Sequence, residues 1–177
     1  MRIVNRTRGC PVGEAVPEGG FERAGRPTES PGFLLWRVTL AWQRALAAAL
    51  RPYDLTHVQF VLLAGAWWLG MDEGAPTQRR LAEHSGTDPM MTSQVLRTLE
   101  GKGLVERVPD PADSRAKRVR VTEAGEALRE RAMYAVEEAD AGFFAPVPRG
   151  DALAVLNALS GSLAPVAARA TRRGAGA

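Results

Sequence analysis

The sequence predicts a mainly α-helical protein that contains one small antiparallel β-hairpin. Apolar residues recur at spacings of three and four along most of residues 33–168, which is the pattern of amphipathic helices. One stretch, residues 104–121, instead has two short valine-containing runs with turn residues between them, which is typical of paired strands. Glycine and proline residues divide the helical pattern into segments of ordinary helix length.

Composition and size indicate a soluble protein with a real hydrophobic core. The chain has 177 residues, of which 45% are hydrophobic and 24% are charged. The longest apolar run, residues 60–71, is too short to span a bilayer, and no signal peptide is apparent, so we expect no membrane partner. A single cysteine, Cys10, excludes an intrachain disulfide and fits a reducing compartment, so we expect a cytoplasmic protein.

The first two helices are predicted from periodicity and from their boundary residues. Residues 33–50 form an amphipathic pattern that Pro52 ends. Thr56 then begins a second helix, because Thr56 and Gln59 have the spacing of a capping box. The body of this helix, residues 58–69, is apolar almost all round, so we expect it to lie in the core.

Two shorter helices follow, and a tight turn joins them. Residues 78–84 form the third helix, with Thr77 available as its N-cap. Residues 88–101 form the fourth, which has Asp88 as N-cap and Pro89 at the first helical position. Helices joined in this way have the form of a helix-turn-helix, in which the second helix enters the DNA major groove.

The fourth helix has the residues that such a role requires. We expect Val95 and Leu99 to face inward. The opposite face carries Met90, Ser93, Gln94 and Arg97. Gln can pair with adenine, Arg can pair with guanine, and Met can touch a thymine methyl group. Our candidate DNA-contacting residues on the helix pair are these four together with Thr77, Asp88 and Pro89.

The hairpin that follows has the form of a wing. Strands are predicted over residues 104–108 and 118–121, with a nine-residue loop between them. Arg115 lies at the loop tip, and we expect it to reach, with Lys117, into the minor groove, where negative potential is concentrated. Asp113 is expected to hold the Arg115 guanidinium in an ion pair. An exposed hairpin with ordinary surface charges is the alternative interpretation.

The distribution of charge agrees with a phosphate-facing surface in the middle of the chain. Residues 77–122 hold nine Lys and Arg residues against six Asp and Glu residues, whereas residues 123–167 hold three against seven. Arg118 and Arg120, in the second predicted strand, add to the basic surface. Solvated helix faces produce similar asymmetries, so the charge supports DNA binding without requiring it.

Helices are predicted again after the hairpin, and loose tails at both ends. A long fifth helix extends from its N-cap Thr122 to about Gly142, and a last helix covers about residues 151–168. Residues 1–32 contain six glycines and four prolines without sustained periodicity, and residues 171–177 are similar, so we expect disordered tails.

The predicted wing resembles the wing signature of the MarR family of transcriptional regulators. The matching runs are residues 104–107, 110–115 and 121–125, and residues 81–83 and 92–103 match the helix-turn-helix of the same family. The resemblance covers about residues 33–168. It implies a triangular homodimer whose first, fifth and last helices form the interface. It also implies binding to a pseudo-palindromic operator, usually as a repressor, and in many members release by a small aromatic or anionic ligand or by thiol oxidation.

This resemblance also suggests a domain organisation. Residues 33–170 would form one MarR-like domain, with a winged helix-turn-helix at about residues 54–122 and dimerisation helices at about residues 33–50 and 123–169. Two features depart from the family pattern. Met90 and Met91 occupy positions that are more often small and polar, and Cys10 lies in the predicted tail, upstream of the position at which oxidation-sensing members carry a reactive cysteine.

The resemblance implies an effector pocket between the dimerisation helices and the DNA-binding lobe. Candidate lining residues are Trp36, Arg37, Leu40, Tyr53, His57 and Phe60. An arginine or a histidine among aromatic side chains suits an anionic aromatic ligand. Packing in the core or in the dimer interface is the alternative role for these aromatic residues.

Nothing in the sequence predicts an enzyme. Two histidines and one cysteine are too few for a convincing metal cluster, and no glycine-rich phosphate-binding loop precedes a helix. We therefore predict a regulator that binds double-stranded DNA as a homodimer, with no cofactor and no metal. A helical protein–protein adaptor that retains the winged fold without binding DNA is the alternative.

Overall fold

The computed structural model describes residues 30–111, 113 and 116–161, without the side chains of Asp72 and Glu73. The described elements are α1 (Pro31–Leu50), α2 (His57–Glu73), α3 (Gln78–Ser85), α4 (Pro89–Gly101), β1 (Val105–Pro109), β2 (Lys117–Val121), α5 (Glu123–Phe144) and α6 (Arg149–Ser160), with a short 3₁₀ helix at Arg51–Tyr53. This mainly helical architecture with one antiparallel hairpin confirms the predicted fold class. None of the helices in these stretches is both long and apolar enough to cross a membrane.

Helix α1 begins two residues before the predicted start. Pro31 and Gly32, which the sequence assigns to a tail, are helical, and Ser30 Oγ accepts a hydrogen bond from the Phe33 amide at 3.4 Å. A serine followed by proline at the first helical position favours a helix start. The other tail residues and the predicted end of the last helix lie outside the described residues. By its contacts the chain forms two units, one ending at Ala41 and one starting at Trp42.

Helices α2 to α5 begin at the N-cap residues that the sequence predicts. Thr56 Oγ1 accepts a hydrogen bond from the Gln59 amide at 3.3 Å, and Gln59 Oε1 accepts one from the Thr56 amide at 3.1 Å, which confirms the capping box. The side chains of Thr77, Asp88 and Thr122 each accept a hydrogen bond from an amide of the first helical turn. Such a cap is worth about 1 kcal/mol, so local sequence specifies these helix starts.

Helix α2 lies at the centre of the core of the second unit. It contacts α3, α4, α5 and β2, and its Leu62 and Leu63 are fully buried. The neighbouring elements contribute the fully buried Leu46, Leu50, Leu81, Leu96, Leu99, Val105 and Val119. The expectation that residues 58–69 lie in the core is wrong for Trp68, which faces solvent, as does Met71 beyond this range. An apolar sequence does not distinguish a face that the core covers from a face left for another contact.

The hairpin is held along both edges of β2. On one edge, β2 pairs antiparallel with β1. On the other edge, the Val119 amide donates a hydrogen bond to the Pro76 carbonyl oxygen at 2.8 Å, and Arg118 forms an isolated antiparallel bridge with Thr77. The segment just before α3 therefore acts as a third short strand partner, and the hairpin is anchored to the helix-turn-helix.

Close packing at the start of α5 requires one glycine. Gly125 lies in the first turn of α5 against the backbone of Leu104, and a Cβ atom at this position would overlap the Leu104 carbonyl group. The Thr122 amide donates a hydrogen bond to the same carbonyl oxygen at 3.1 Å. The glycine therefore lets α5 begin directly against the residue that precedes β1.

We predict that Gly125→Ala destabilises the protein by about 1–3 kcal/mol, because the added methyl group must displace backbone rather than a flexible side chain. Gly142→Ala is a matched control in the same helix, since a Cβ atom added there would have no described neighbour within 4 Å. That control should be neutral or should stabilise the helix by about 0.5–1 kcal/mol. Chemical denaturation measures both, and equal stability of the two variants would contradict the packing account.

Candidate nucleic-acid interface

One glycine and two threonines set the turn between α3 and α4. Gly86 has a φ of 62°, a left-handed conformation that glycine adopts without steric cost. Thr92 is fully buried, and its Oγ1 donates a hydrogen bond to the Asp88 carbonyl oxygen at 2.8 Å. Thr87 Oγ1 lies 2.8 Å from Thr92 Oγ1. Because these hydroxyl groups satisfy each other inside the turn, they fix the start of α4.

Helix α4 presents the predicted polar face to solvent. Thr92, Leu96 and Leu99 are buried and point toward the core. Met90, Gln94 and Arg97 are exposed, and Ser93 is half-buried. Arg97 Nη2 donates a hydrogen bond to Ser93 Oγ at 3.3 Å, which favours one direction for the guanidinium. The exposed face therefore offers an amide, a guanidinium and a thioether on one side of a single helix.

An ion pair ties the last turn of α4 to β1. The Glu100 carboxylate accepts hydrogen bonds from Arg107 Nε at 2.8 Å, from Arg107 Nη2 at 2.5 Å and from the Arg107 amide at 3.2 Å. The hydrogen bonds from the Arg107 side chain lower the pKa of Glu100 below its ordinary value. A pair with two side-chain donors has a defined geometry, so it fixes the hairpin relative to the helix.

A lysine ties the C-terminal end of α4 to the turn before α2. Lys102 Nζ donates hydrogen bonds to the Asp54 carbonyl oxygen, to Asp54 Oδ2 at 2.8 Å and to Gln59 Oε1 at 3.5 Å. Asp54 has a φ of 52°, a left-handed conformation that aspartate tolerates better than most residues. Lys102 therefore joins the end of α4 to the residues that begin α2.

The arginines of β2 form ion pairs within the hairpin. Arg118 Nε lies 2.8 Å from Asp110 Oδ2, and Arg118 Nη1 donates a hydrogen bond to the Ala75 carbonyl oxygen at 3.0 Å. The Asp110 side chain is only 6% exposed. Arg120 Nη2 lies 2.5 Å from Glu106 Oε2 across the two strands. Arg118 therefore braces the base of the wing, a role that the sequence pattern does not indicate.

Comparison with known proteins identifies the family. The model of the MarR family matches residues 55–117. YdcH of Bacillus subtilis, an uncharacterized HTH-type transcriptional regulator, is 46% identical over 119 residues, which are 67% of this chain and 81% of YdcH. The chain belongs to the MarR family. This membership confirms the prediction of a transcriptional regulator rather than an enzyme.

Two solved structures resemble this MarR-family chain. CouR from Rhodococcus jostii RHA1, solved with p-coumaroyl-CoA, has a TM-score of 0.72 at 29% identity, with 81% of this chain and 98% of CouR covered. A cysteine-to-serine mutant of MarR from E. coli, solved with operator DNA, has a TM-score of 0.67 at 25% identity, with 75% of this chain and 93% of that chain covered. These likenesses confirm the winged helix-turn-helix fold.

The predicted contact residues of this MarR-family chain fall into three groups. The α4 residues Met90, Ser93, Gln94 and Arg97 share one face, and Thr77, Asp88 and Pro89 lie at the starts of α3 and α4. Asp113 and Lys117 are exposed residues of the wing. Arg115 lies outside the described residues, as does its expected pair with Asp113, so both stay predictions.

The predicted effector-pocket residues are divided between the two units. In the first unit Trp36 and Arg37 are exposed, Leu40 is half-buried, and Arg37 lies over the Phe33 ring at 5.9 Å. In the second unit Tyr53 and His57 are half-buried and Phe60 is buried. Phe60 also lines a cavity of about 420 Å³ together with Trp67, Trp68, His84, Ser85 and Met133. Ser85 Oγ is buried there without a hydrogen-bond partner among the described residues.

His57 belongs to a small cluster that the sequence pattern does not reveal. The Trp42 ring lies edge-on to the His57 ring at 5.0 Å, and Trp42 Nε1 donates a hydrogen bond to Asp140 Oδ1 at 2.7 Å. Burial lowers the pKa of His57 below its ordinary value, although the charge of Asp140 opposes the change. Trp42 and Asp140 are 98 residues apart in the sequence, so no local sequence pattern predicts their contact. Only the fold brings these three side chains together.

We predict that Asp110→Asn lowers the free energy of unfolding by about 1–3 kcal/mol, because Arg118 loses its buried charged acceptor. Glu106→Gln is the matched control on the same hairpin. Its carboxylate is half exposed, so its pair with Arg120 should be worth less than about 1 kcal/mol. Chemical denaturation compares the two variants, and equal losses would show that burial of the Asp110 carboxylate is unimportant.

We also predict that the protein loses stability in mild acid through His57. Because the pKa of His57 is lowered in the folded state, the unfolded chain takes up the proton at the higher pH. The free energy of unfolding should therefore fall as the pH drops through the ordinary histidine range, at about pH 6.5. Thermal unfolding across this range should show a smaller loss for His57→Gln than for the parent, whereas identical profiles would exclude His57 as the cause.

Proposed function

We propose that the protein is a homodimeric, sequence-specific DNA-binding regulator that acts as a repressor on a pseudo-palindromic operator. The observation that carries the proposal is the exposed face of α4, whose inward side is buried and whose C-terminal end is held by Glu100 and Lys102. A helix that is fixed in this way can present its side chains to base edges without reordering.

Base readout is assigned to the outer face of α4. Gln94 has the donor and acceptor that adenine requires, and Arg97 has the two donors that guanine requires. Both side chains are exposed. The solved complex of E. coli MarR with operator DNA supports this use of the fold. Lys117, and Arg115 at the predicted wing tip, would contact the backbone or the minor groove beside the site.

The homodimer is proposed from apolar surfaces that the single chain leaves exposed. Helix α6 has no buried residue, and its Leu153, Val155, Leu156 and Leu159 are all more than two-fifths exposed. In the first unit, Leu34, Leu35, Trp36 and Val38 of α1 are exposed to a similar extent. Several exposed apolar side chains on one helix are typical of an interaction surface. Two copies would place their α4 helices in successive major grooves, about 34 Å apart.

Release by a small effector is the second part of the proposal. CouR, a protein of the same fold, was solved with p-coumaroyl-CoA bound. The cavity beside Phe60 is lined by aromatic side chains and one buried hydroxyl, which suits a small aromatic compound. Such a compound would act by favouring dimers whose α4 helices do not match the operator. An effector role for Trp36, Arg37, Leu40, Tyr53 and His57 stays a prediction from the sequence.

A footprint on the promoter segment beside the protein's own gene tests the proposal. A repressor should protect an inverted repeat there and should reduce transcription from that promoter. The adaptor alternative, a winged fold without DNA binding, predicts no protection at any salt concentration. Because phosphate contacts weaken as salt rises, the assay is run from low to physiological ionic strength.

We predict that Arg97→Ala costs about 1–3 kcal/mol of affinity for the footprinted site and relaxes its preference at one base pair. Gln94→Ala should do the same at a different base pair. Arg51→Ala is the control, because Arg51 is an exposed arginine of the short 3₁₀ helix, outside the elements assigned to DNA contact and to the homodimer. Titrations on the footprinted site and on random DNA measure the effect. Equal losses of affinity on both would indicate that Arg97 contacts a phosphate rather than a base.

A further inference from the structure

Two methionines stand exposed at the start of α4. Met90 is 83% exposed, the highest value among the exposed large apolar side chains of the described residues, and Met91 is 42% exposed. The amides of both residues donate hydrogen bonds to Asp88 Oδ1, at 2.8 and 3.1 Å, so their backbone is fixed while their side chains face solvent. Both side chains are therefore accessible to reagents in solution.

Met90 contributes little to the stability of the fold. The inward face of α4 is formed by Thr92, Leu96 and Leu99, and Met90 buries almost nothing against them. Residues 90, 94 and 97 are spaced by four and three along the helix, so Met90 shares its face with Gln94 and Arg97. A change in the chemistry of the Met90 side chain therefore changes the surface that α4 offers to DNA.

We propose that Met90 and Met91 are a modification site at which oxidation to methionine sulfoxide weakens operator binding. The inference rests on the proposed function, since it takes α4 as the helix that reads DNA. The reagent is a hydroperoxide, with hydrogen peroxide as the simplest member. Susceptibility of methionine follows exposure, and enzymatic reduction of the sulfoxide restores the thioether, so the change is reversible.

The reaction is a two-electron transfer of one oxygen atom. The methionine sulfur attacks one peroxide oxygen, an S–O bond forms and the O–O bond breaks. The sulfur is oxidised to the sulfoxide, the peroxide is reduced, and the leaving hydroxide takes the remaining proton to become water. No metal or further co-reactant is needed for the balance.

Methionine sulfoxide fits the proposed contact between α4 and DNA less well than methionine does. Methionine offers an apolar contact to a thymine methyl group, whereas a sulfoxide offers a polar oxygen with no donor. That oxygen must lose its water when α4 enters the groove, and it is repelled by nearby phosphate oxygens. We expect oxidation of both residues to weaken operator binding about tenfold, comparable to the loss of one good base contact.

The test uses the full chain with Cys10→Ser, so that the single thiol cannot react. The protein is treated with hydrogen peroxide, the sulfoxides are located by mass spectrometry, and affinity is measured on the footprinted promoter DNA. Three forms are compared, each against its own untreated sample: the Cys10→Ser parent, Met90→Leu with Met91→Leu, and Met71→Leu. Met71 is the matched control, since it is 62% exposed but lies at the end of α2.

The parent and Met71→Leu should both lose affinity about tenfold on treatment, and the two methionine sulfoxide reductases, one for each sulfoxide epimer, should together restore it. The double leucine variant should keep the affinity of its untreated sample. An equal loss in the double variant, or oxidation of Met90 and Met91 without loss in the parent, overturns this inference alone. Untreated parent protein that binds no promoter DNA contradicts the proposed function instead.

Discussion

The fixed direction of α4 depends on how its C-terminal end is tied down. Leucine packing buries the inner side of the helix, and polar contacts at its C-terminal end add directional restraints. The two Arg107 side-chain donors on Glu100 Oε2 and the bridge from Lys102 to Asp54 restrict motion of the helix, because one joins the end of α4 to β1 and the other joins it to the turn before α2. Exposed side chains change conformation easily, so a helix surface that must fit a rigid partner needs such supporting contacts.

Much of this architecture could be predicted from local sequence. The N-caps of α2 to α5 and the proline at the start of α4 act within one helical turn, so residue type and spacing specify them. The pairing of Arg118 with Asp110 could not be predicted in the same way. It depends on how the strands pair and on the burial of one carboxylate, which periodicity does not report. Asp110 follows the first strand, and Lys117 and Arg118 begin the second, but this spacing does not say which of the two pairs with Asp110.

Apolar residues on α1 and α6 show a second limit of prediction from sequence. Their spacing correctly indicates helices, yet hydrophobicity alone cannot say whether a face meets its own core or another molecule. The structure makes the distinction for α6, whose leucines remain exposed while the helix itself is regular. In the same way, the outward position of Met90 follows from helical spacing, whereas its near-complete exposure could be known only from the fold.

The two-sided support of β2 has a consequence for how signals would travel. Since one edge of the strand joins β1 and the other joins the segment at Pro76 and Thr77, the hairpin cannot tilt without moving the chain that leads into α3. The hairpin and the α3–α4 pair are therefore expected to move as one body. In the proposed DNA complex, a displacement of this body would alter the contacts of α4 and of the wing together.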